Sequence, residues 1–146
     1  MQDHPSPHLV VRQFIERVRS GLDPEAAHEL MAPVVQAHQV ISGAPSSVER
    51  SPANYAEHIR EFLDVFGQYQ LHIEEFLSSE HKVYVRWRQV GCHVGTILGY
   101  APTGRELVTV GSAVYRVESG RIVEYWIQQE NSGLEAQLKD AVALNG

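Results

Sequence analysis

The chain has 146 residues, 43% of them apolar and 21% charged, the composition of a single soluble globular domain over residues 1–146. A net charge of −6 and a pI near 5.7 exclude the basic surface that nucleic acid or an anionic membrane requires, and no apolar run reaches membrane-spanning length. The lone Cys92 rules out an internal disulfide, and Met1-Gln2-Asp3-His4-Pro5 carries no leader pattern, so the expected location is the cytoplasm.

Ser6-Pro7 reads as a helix start, with Val10, Phe14 and Val18 as the apolar face. Asp23-Pro24 repeats the signal for a short helix through Ala27, Leu30 and Met31, and Ser51-Pro52 does so a third time. The helix after Ser51 has the cleanest period in the chain, Tyr55, Ile59, Phe62, Leu63 and Phe66, and stops at Gly67. Val34–His38 is a candidate short strand, followed by a polar loop through Ser51. Beyond Gly67 the period becomes two. It predicts strands at Gln70–Leu77, Lys82–Val90, His93–Leu98, Glu106–Val117 and Arg121–Gln129, with a tight hairpin turn at Ser119-Gly120. Leu134, Leu138 and Val142 predict a closing helix. Helices first and an antiparallel meander after them predict an α+β fold with helices packed on one face of a curved sheet.

Alternation along the last strand places Ile122, Glu124, Trp126, Gln128 and Glu130 on one face. An indole, an amide and a carboxylate facing one way suit the wall and the acid/base of a small-molecule pocket. Burial against the indole would push a Glu130 carboxyl toward neutrality and fit it to move protons. Tyr125, Ile127 and Val123 then form the opposite, outer face, whose apolar character predicts a homodimer through it. Trp87 and Gln89 share a face with Val83 and Val85, which points Arg86 and Arg88 the other way.

Gly91-Cys92-His93-Val94-Gly95, Pro102-Thr103-Gly104-Arg105 and Gly120-Arg121-Ile122-Val123-Glu124-Tyr125-Trp126, with a carboxylate four residues on, resemble in order and spacing the SnoaL-like polyketide cyclase family. That family has the cone-shaped α+β barrel typified by nuclear transport factor 2, and the resemblance runs from near Leu9 to Leu138. It implies cofactor-free acid/base catalysis, such as an intramolecular aldol cyclisation, on a small apolar carbonyl-bearing substrate. Glu130 stands at the position of the family's acid/base, which is usually Asp, and Tyr125 stands where the family often has His. The resemblance also draws His38 and His93 into the site as proton relays or hydrogen-bond donors to the oxyanion.

The expected pocket between helices and sheet is lined by Phe14, Met31, Tyr55, Ile59 and Phe62 from the first half of the chain. Trp87, Gln89, Trp126 and Gln128 line it from the strands, with His38, His93 and Glu130 as its chemical groups. No metal is expected, since the eight histidines form no ligand motif and one cysteine supplies no thiolate set. The glycines make no phosphate cradle, so no organic cofactor is expected either. Cys92 and His93 point apart on a strand and make no nucleophilic pair. Other acid/base reactions of the same scaffold (isomerase, dehydratase, hydrolase, cofactor-free hydroxylase) stay open, as does a non-enzymatic ligand-binding or dimerisation domain.

Overall fold

The structure, a computed structural model, describes residues 3–145 without the Asn145 side chain; Met1, Gln2 and Gly146 of the readings above lie outside it. Helix α1 (Pro7–Gln13) opens at Ser6, whose hydroxyl accepts the Leu9 N–H at 3.2 Å. It runs on as a π-helical turn over Phe14–Arg19, in which the Ser20 N–H reaches back to the Ile15 carbonyl at 3.1 Å. A 3₁₀ turn (Pro24–Ala26) leads into the one-turn α2 (Ala27–Leu30). Helix α3 (Pro52–Phe66) is capped by Ser51, which accepts the Asn54 N–H at 3.1 Å. It ends at Gly67, in the left-handed region with φ 65°. Helix α4 (Ser132–Asn145) closes the chain. No helix among the described residues is long and apolar enough to cross a membrane.

Six strands, β1 (Met31–Gln39), β2 (Ser46–Arg50), β3 (Gln70–Ser79), β4 (Lys82–Cys92), β5 (Glu106–Glu118) and β6 (Arg121–Gln129), form one curved, open sheet in the order β2-β1-β6-β5-β4-β3. The expected meander from Gln70 onward is antiparallel, but β1 docks parallel to β6, so the sheet is mixed. Strand β2 lies inside the stretch expected to be a polar loop. The strand expected at His93–Leu98 is absent. His93 instead clamps a loop, its N–H bonding the Arg105 carbonyl at 2.8 Å and its carbonyl accepting the Gly104 N–H at 2.9 Å. Ser119 and Gly120, with φ 51° and 76°, make the predicted hairpin turn.

One irregularity decides which residues face the core. In the β5–β6 ladder Arg116 pairs with Glu124 while the next residue, Val117, pairs with Ile122, so Val123 is an extra, bulged residue. A slip of one residue moves every later side chain to the other face. Ile122 points inward, and beyond the bulge the inward set becomes Tyr125 and Ile127, all three buried. The expected faces of β6 are therefore exchanged after Ile122. Trp126 and Gln128 lie on the outer face, opposite Val114 and Ser112, and not in the pocket.

The inner face carries Val83, Val85 and Trp87 of β4 and Ala113, Tyr115 and Val117 of β5. With Tyr125 and Ile127 they pack against Val11, Phe14 and Val18 of the first helix and Tyr55 and Ile59 of α3 in one core. Gly111 faces Trp87 across the β4–β5 ladder, where a Cβ would stand 2.9 Å from the indole Cζ2. Its missing side chain is the space the indole fills. We expect Gly111→Ala to push the indole aside, cost about 1–3 kcal/mol of stability and change Trp87 fluorescence; an unchanged denaturant midpoint and spectrum would contradict this packing.

Candidate functional site

At the wide end of the cone the inner face is not filled. Phe62 and Phe66 of α3, Trp87 and Gln89 of β4, Thr109 and Val110 of β5 and Leu134 of α4 bound a cleft of about 530 Å³, counted to its open mouth. Ile97 and Leu98, from the loop that His93 clamps, form one lip, with Leu98 at φ 50° in the left-handed region rarely adopted by a branched side chain. Gln129, Glu130 and Asn131, where β6 hands over to α4, form the other. The cleft is aromatic on two sides and polar along one wall.

Glu130 reaches this cleft by a route other than the one expected. It lies on neither wall of a closed pocket but on the rim, exposed, and borders both the cleft and a shallow outer groove with Gln128 and Arg86. Its carboxylate accepts the Gly133 N–H at 2.6 Å, an anion on the first turn of α4. The enclosure by Trp126 that was expected to desolvate it is absent, because the Val123 bulge turns that indole outward. Glu130 is still the one carboxylate that lines the cleft.

The other expected site residues separate into three groups. Phe62, Trp87 and Gln89 line the cleft. Phe14, Met31, Tyr55 and Ile59 are buried in the core at the narrow end and fill the space where a deeper pocket was expected. His38, Trp126 and Gln128 occupy the outer face. His38 stacks on Trp126 with ring centroids 5.3 Å apart, and both its ring nitrogens are engaged, Nδ1 with Ser47 Oγ and Nε2 with Glu124, each at 2.7 Å. Burial opposes the charge of Glu124, but bonds from His38 and Arg116 outweigh it and hold the carboxyl below the usual range. His93 is fully buried, its Nδ1 beside Thr103 Oγ1 at 3.0 Å and accepting the Thr103 N–H at 3.3 Å, which makes it the organiser of the lip loop. Its Nε2 finds no protein partner.

Sequence reading missed Arg19. It closes the π-helical turn, is 2% exposed, and lines the cleft from the helix side. Its guanidinium lies over the rings of Trp87 and Phe62 at 4.9 and 5.0 Å, and Nη1 donates one long bond to the Tyr55 hydroxyl at 3.4 Å. Burial works against this charge, while the phenol oxygens of Tyr55, Tyr115 and Tyr69 more than offset it and raise the pKa. The signal was present, since Val11, Ile15 and Arg19 are spaced by four on the apolar face. A charge where that stripe calls for an aliphatic residue marks a function or a buried partner.

Metal chemistry has no obvious holder: among the described residues no group of three His, Cys, Asp or Glu side chains converges. His58 of α3, packed on the Phe62 ring with centroids 4.5 Å apart, has its pKa lowered to about 4 by burial and by the charges of Arg19 and Arg50. A histidine whose folded pKa lies below its unfolded 6.5 gives stability that is complete above pH 6.5 and lost as pH falls toward 4. After discounting for its partial exposure, this loss is on the order of 1–2 kcal/mol. His58→Gln should flatten the melting temperature against pH in that window; a wild-type slope in the variant would contradict it.

The profile of the SnoaL-like polyketide cyclase family matches residues 9–138. No match is found among curated proteins. Among solved structures, a proposed polyketide cyclase of Acidithiobacillus ferrooxidans is 22% identical, with a TM-score of 0.81 over 97% of this chain and 99% of that one. IdmH, a proposed polyketide cyclase of Streptomyces antibioticus, is 24% identical with a TM-score of 0.76 over 91% and 98% of the two chains. AclR, a proposed hydroxylase of Streptomyces galilaeus, is 19% identical with a TM-score of 0.77 over 92% and 81%. At these identities the structural likeness shows a shared fold, the cone typified by nuclear transport factor 2.

Proposed function

The chain belongs to the SnoaL-like polyketide cyclase family, and we propose that it is an acid/base enzyme acting on a small, apolar, carbonyl-bearing substrate held in the cleft at the wide end of the cone. The observation that carries this reading is the placement of one carboxylate, Glu130, on the rim of a cleft walled by Phe62, Phe66, Trp87 and Leu134. An apolar ring system covering the mouth would remove water from Glu130 on binding. Its carboxylate would then take a proton from a carbon beside a carbonyl, as an intramolecular aldol closure requires, and return it to the alkoxide oxygen. The amides of Gln129 and Asn131, on either side of Glu130, supply N–H donors at the rim for the oxygen on which charge develops. In this reading His93 acts by holding the lip loop, and His38 has no place at the reacting atoms. The residues need neither a metal nor an organic cofactor for this step.

The bond from Gly133 to Glu130 favours a second reading, a cleft that binds ligand without turnover, in which the carboxylate only caps α4. Proton–deuterium exchange separates the two without knowledge of the natural substrate. A cyclic aromatic 1,3-diketone incubated with the protein in deuterium oxide should exchange its acidic carbon–hydrogen faster than in buffer. Glu130→Gln should lower the enzymatic part roughly 10²–10⁴-fold, and Glu130→Asp should keep a portion of it. Exchange equal in wild type and Glu130→Gln would leave binding alone.

A homodimer through the outer sheet face is part of the proposal, with its residues corrected by the bulge. Tyr84, Val114 and Trp126 form the half-buried apolar stripe there, beside the exposed Val40. Sedimentation at micromolar concentration should give a dimer, and Val114→Lys a monomer. A monomeric wild type would contradict this.

A further inference from the structure

Two polar side chains of the cleft, Arg19 and Gln89, keep hydrogen-bonding capacity that the protein does not use, and in Arg19 part of it is buried. Arg19 carries five N–H donors; one makes a long bond to Tyr55, and Nε, shielded from solvent, has no acceptor. No carboxylate pairs with it among the described residues. The surrounding phenol oxygens favour the cation but bring no formal negative charge, because burial pushes Tyr69 up to about 12 and Tyr115 well above its ordinary value, which keeps both neutral. Gln89, 4% exposed and two residues beyond Trp87 on the same inner face, makes no side-chain hydrogen bond to protein among the described residues. A buried cation short of acceptors is costly; an incoming anion would relieve it and could also take a bond from the Gln89 amide.

We infer that Arg19 and Gln89 form the receptor for a carboxylate on the ligand, so that the cleft takes flat aromatic acids with the acid group inward. The aromatic clamp explains how the empty receptor is tolerated: Trp87 and Phe62 stabilise the guanidinium through their ring faces, contacts that use none of its N–H donors. A planar guanidinium matches a carboxylate with two parallel bonds, which an ammonium does not. The π-helical turn that ends on Arg19 fits the same role, as such wide turns are rare and concentrate at functional sites. The two charges of the cleft then orient the substrate. Glu130 on the rim repels the acid group and Arg19 on the floor attracts it, which leaves the carbonyl-bearing end at the mouth beside Glu130. This inference rests on the cleft being the reaction site proposed above.

The test uses 2-naphthoate and its neutral isostere 2-naphthamide, read by tryptophan fluorescence. The chain has two tryptophans, and Trp126→Phe leaves Trp87, inside the cleft, as the sole reporter. Naphthoate should quench Trp87 with a Kd at least about tenfold below that of naphthamide, as expected for a charge-assisted pair. Arg19→Gln should abolish that preference by weakening naphthoate alone, and Arg19→Lys should keep part of it. A structural role for Arg19 would move both ligands together. Should Arg19→Gln fail to fold, the acid-to-amide comparison in the parent protein still decides. Equal Kd values for the two ligands would overturn the carboxylate receptor and leave the cleft as a binding site. No quenching by either at millimolar concentration would remove the cleft reading and this inference with it.

Discussion

A single extra residue, Val123, sets the character of this molecule. By bulging out of the β5–β6 ladder it exchanges the two faces of β6, sending Tyr125 and Ile127 into the core and Trp126 and Gln128 to the outside. The core at the narrow end of the cone then closes around aromatic rings: Tyr115 lies 5.4 Å from Phe14 and 5.8 Å from Tyr125 between centroids. That end is packed solid. The cleft opens at the wide end, where β4 and β5 run on past the core and α4 packs against β5. The site is where it is because the bulge fills the rest.

Within that space the arrangement is electrostatic as much as apolar. A buried guanidinium without a counter-ion is among the more expensive groups a small domain can hold. Here it is held by two ring faces and a phenol, and it shares the cleft with a rim carboxylate bonded to the first turn of a helix. The charge of Arg19 also reaches His58 on α3, helping to keep that imidazole neutral and compatible with its place against Phe62. The proposed substrate binding, helix packing and acid stability would thus be linked through one side chain.

Much of the fold was legible because local signals repeated. Three helix starts announced by Ser-Pro or Asp-Pro, the stop at Gly67 and the hairpin at Ser119-Gly120 are short-range chemistry, and each is found where the sequence put it, although Met31, expected in the second helix, opens β1 instead. The parallel docking of β1, the strand in the loop before Ser51 and the loss of a strand after His93 depend on long-range pairing, which no local pattern carries. The cleft residues Phe62, Trp87 and Gln89 lie on elements whose period is unbroken. Trp126 and Gln128 were misplaced because strict alternation was carried across a bulge. The warning lay in composition, since beyond Val123 the more apolar alternate set is Tyr125 and Ile127. His38 followed the family resemblance to the wrong face, and Arg19 escaped because a charge on a helix is read as solvated by default.

On the proposed reading, ligand chemistry takes place inside the cone, between Trp87 and Phe62, and not against the aromatic stripe on its outside. The most direct measurement is a crystal structure with an aromatic keto acid bound. Density is expected in the cleft, with the carboxylate within hydrogen-bonding reach of Arg19 and Gln89 and the carbon beside the ketone facing Glu130. A ligand seated on Trp126, or one inverted so that its acid group lies at the Glu130 rim, would contradict it.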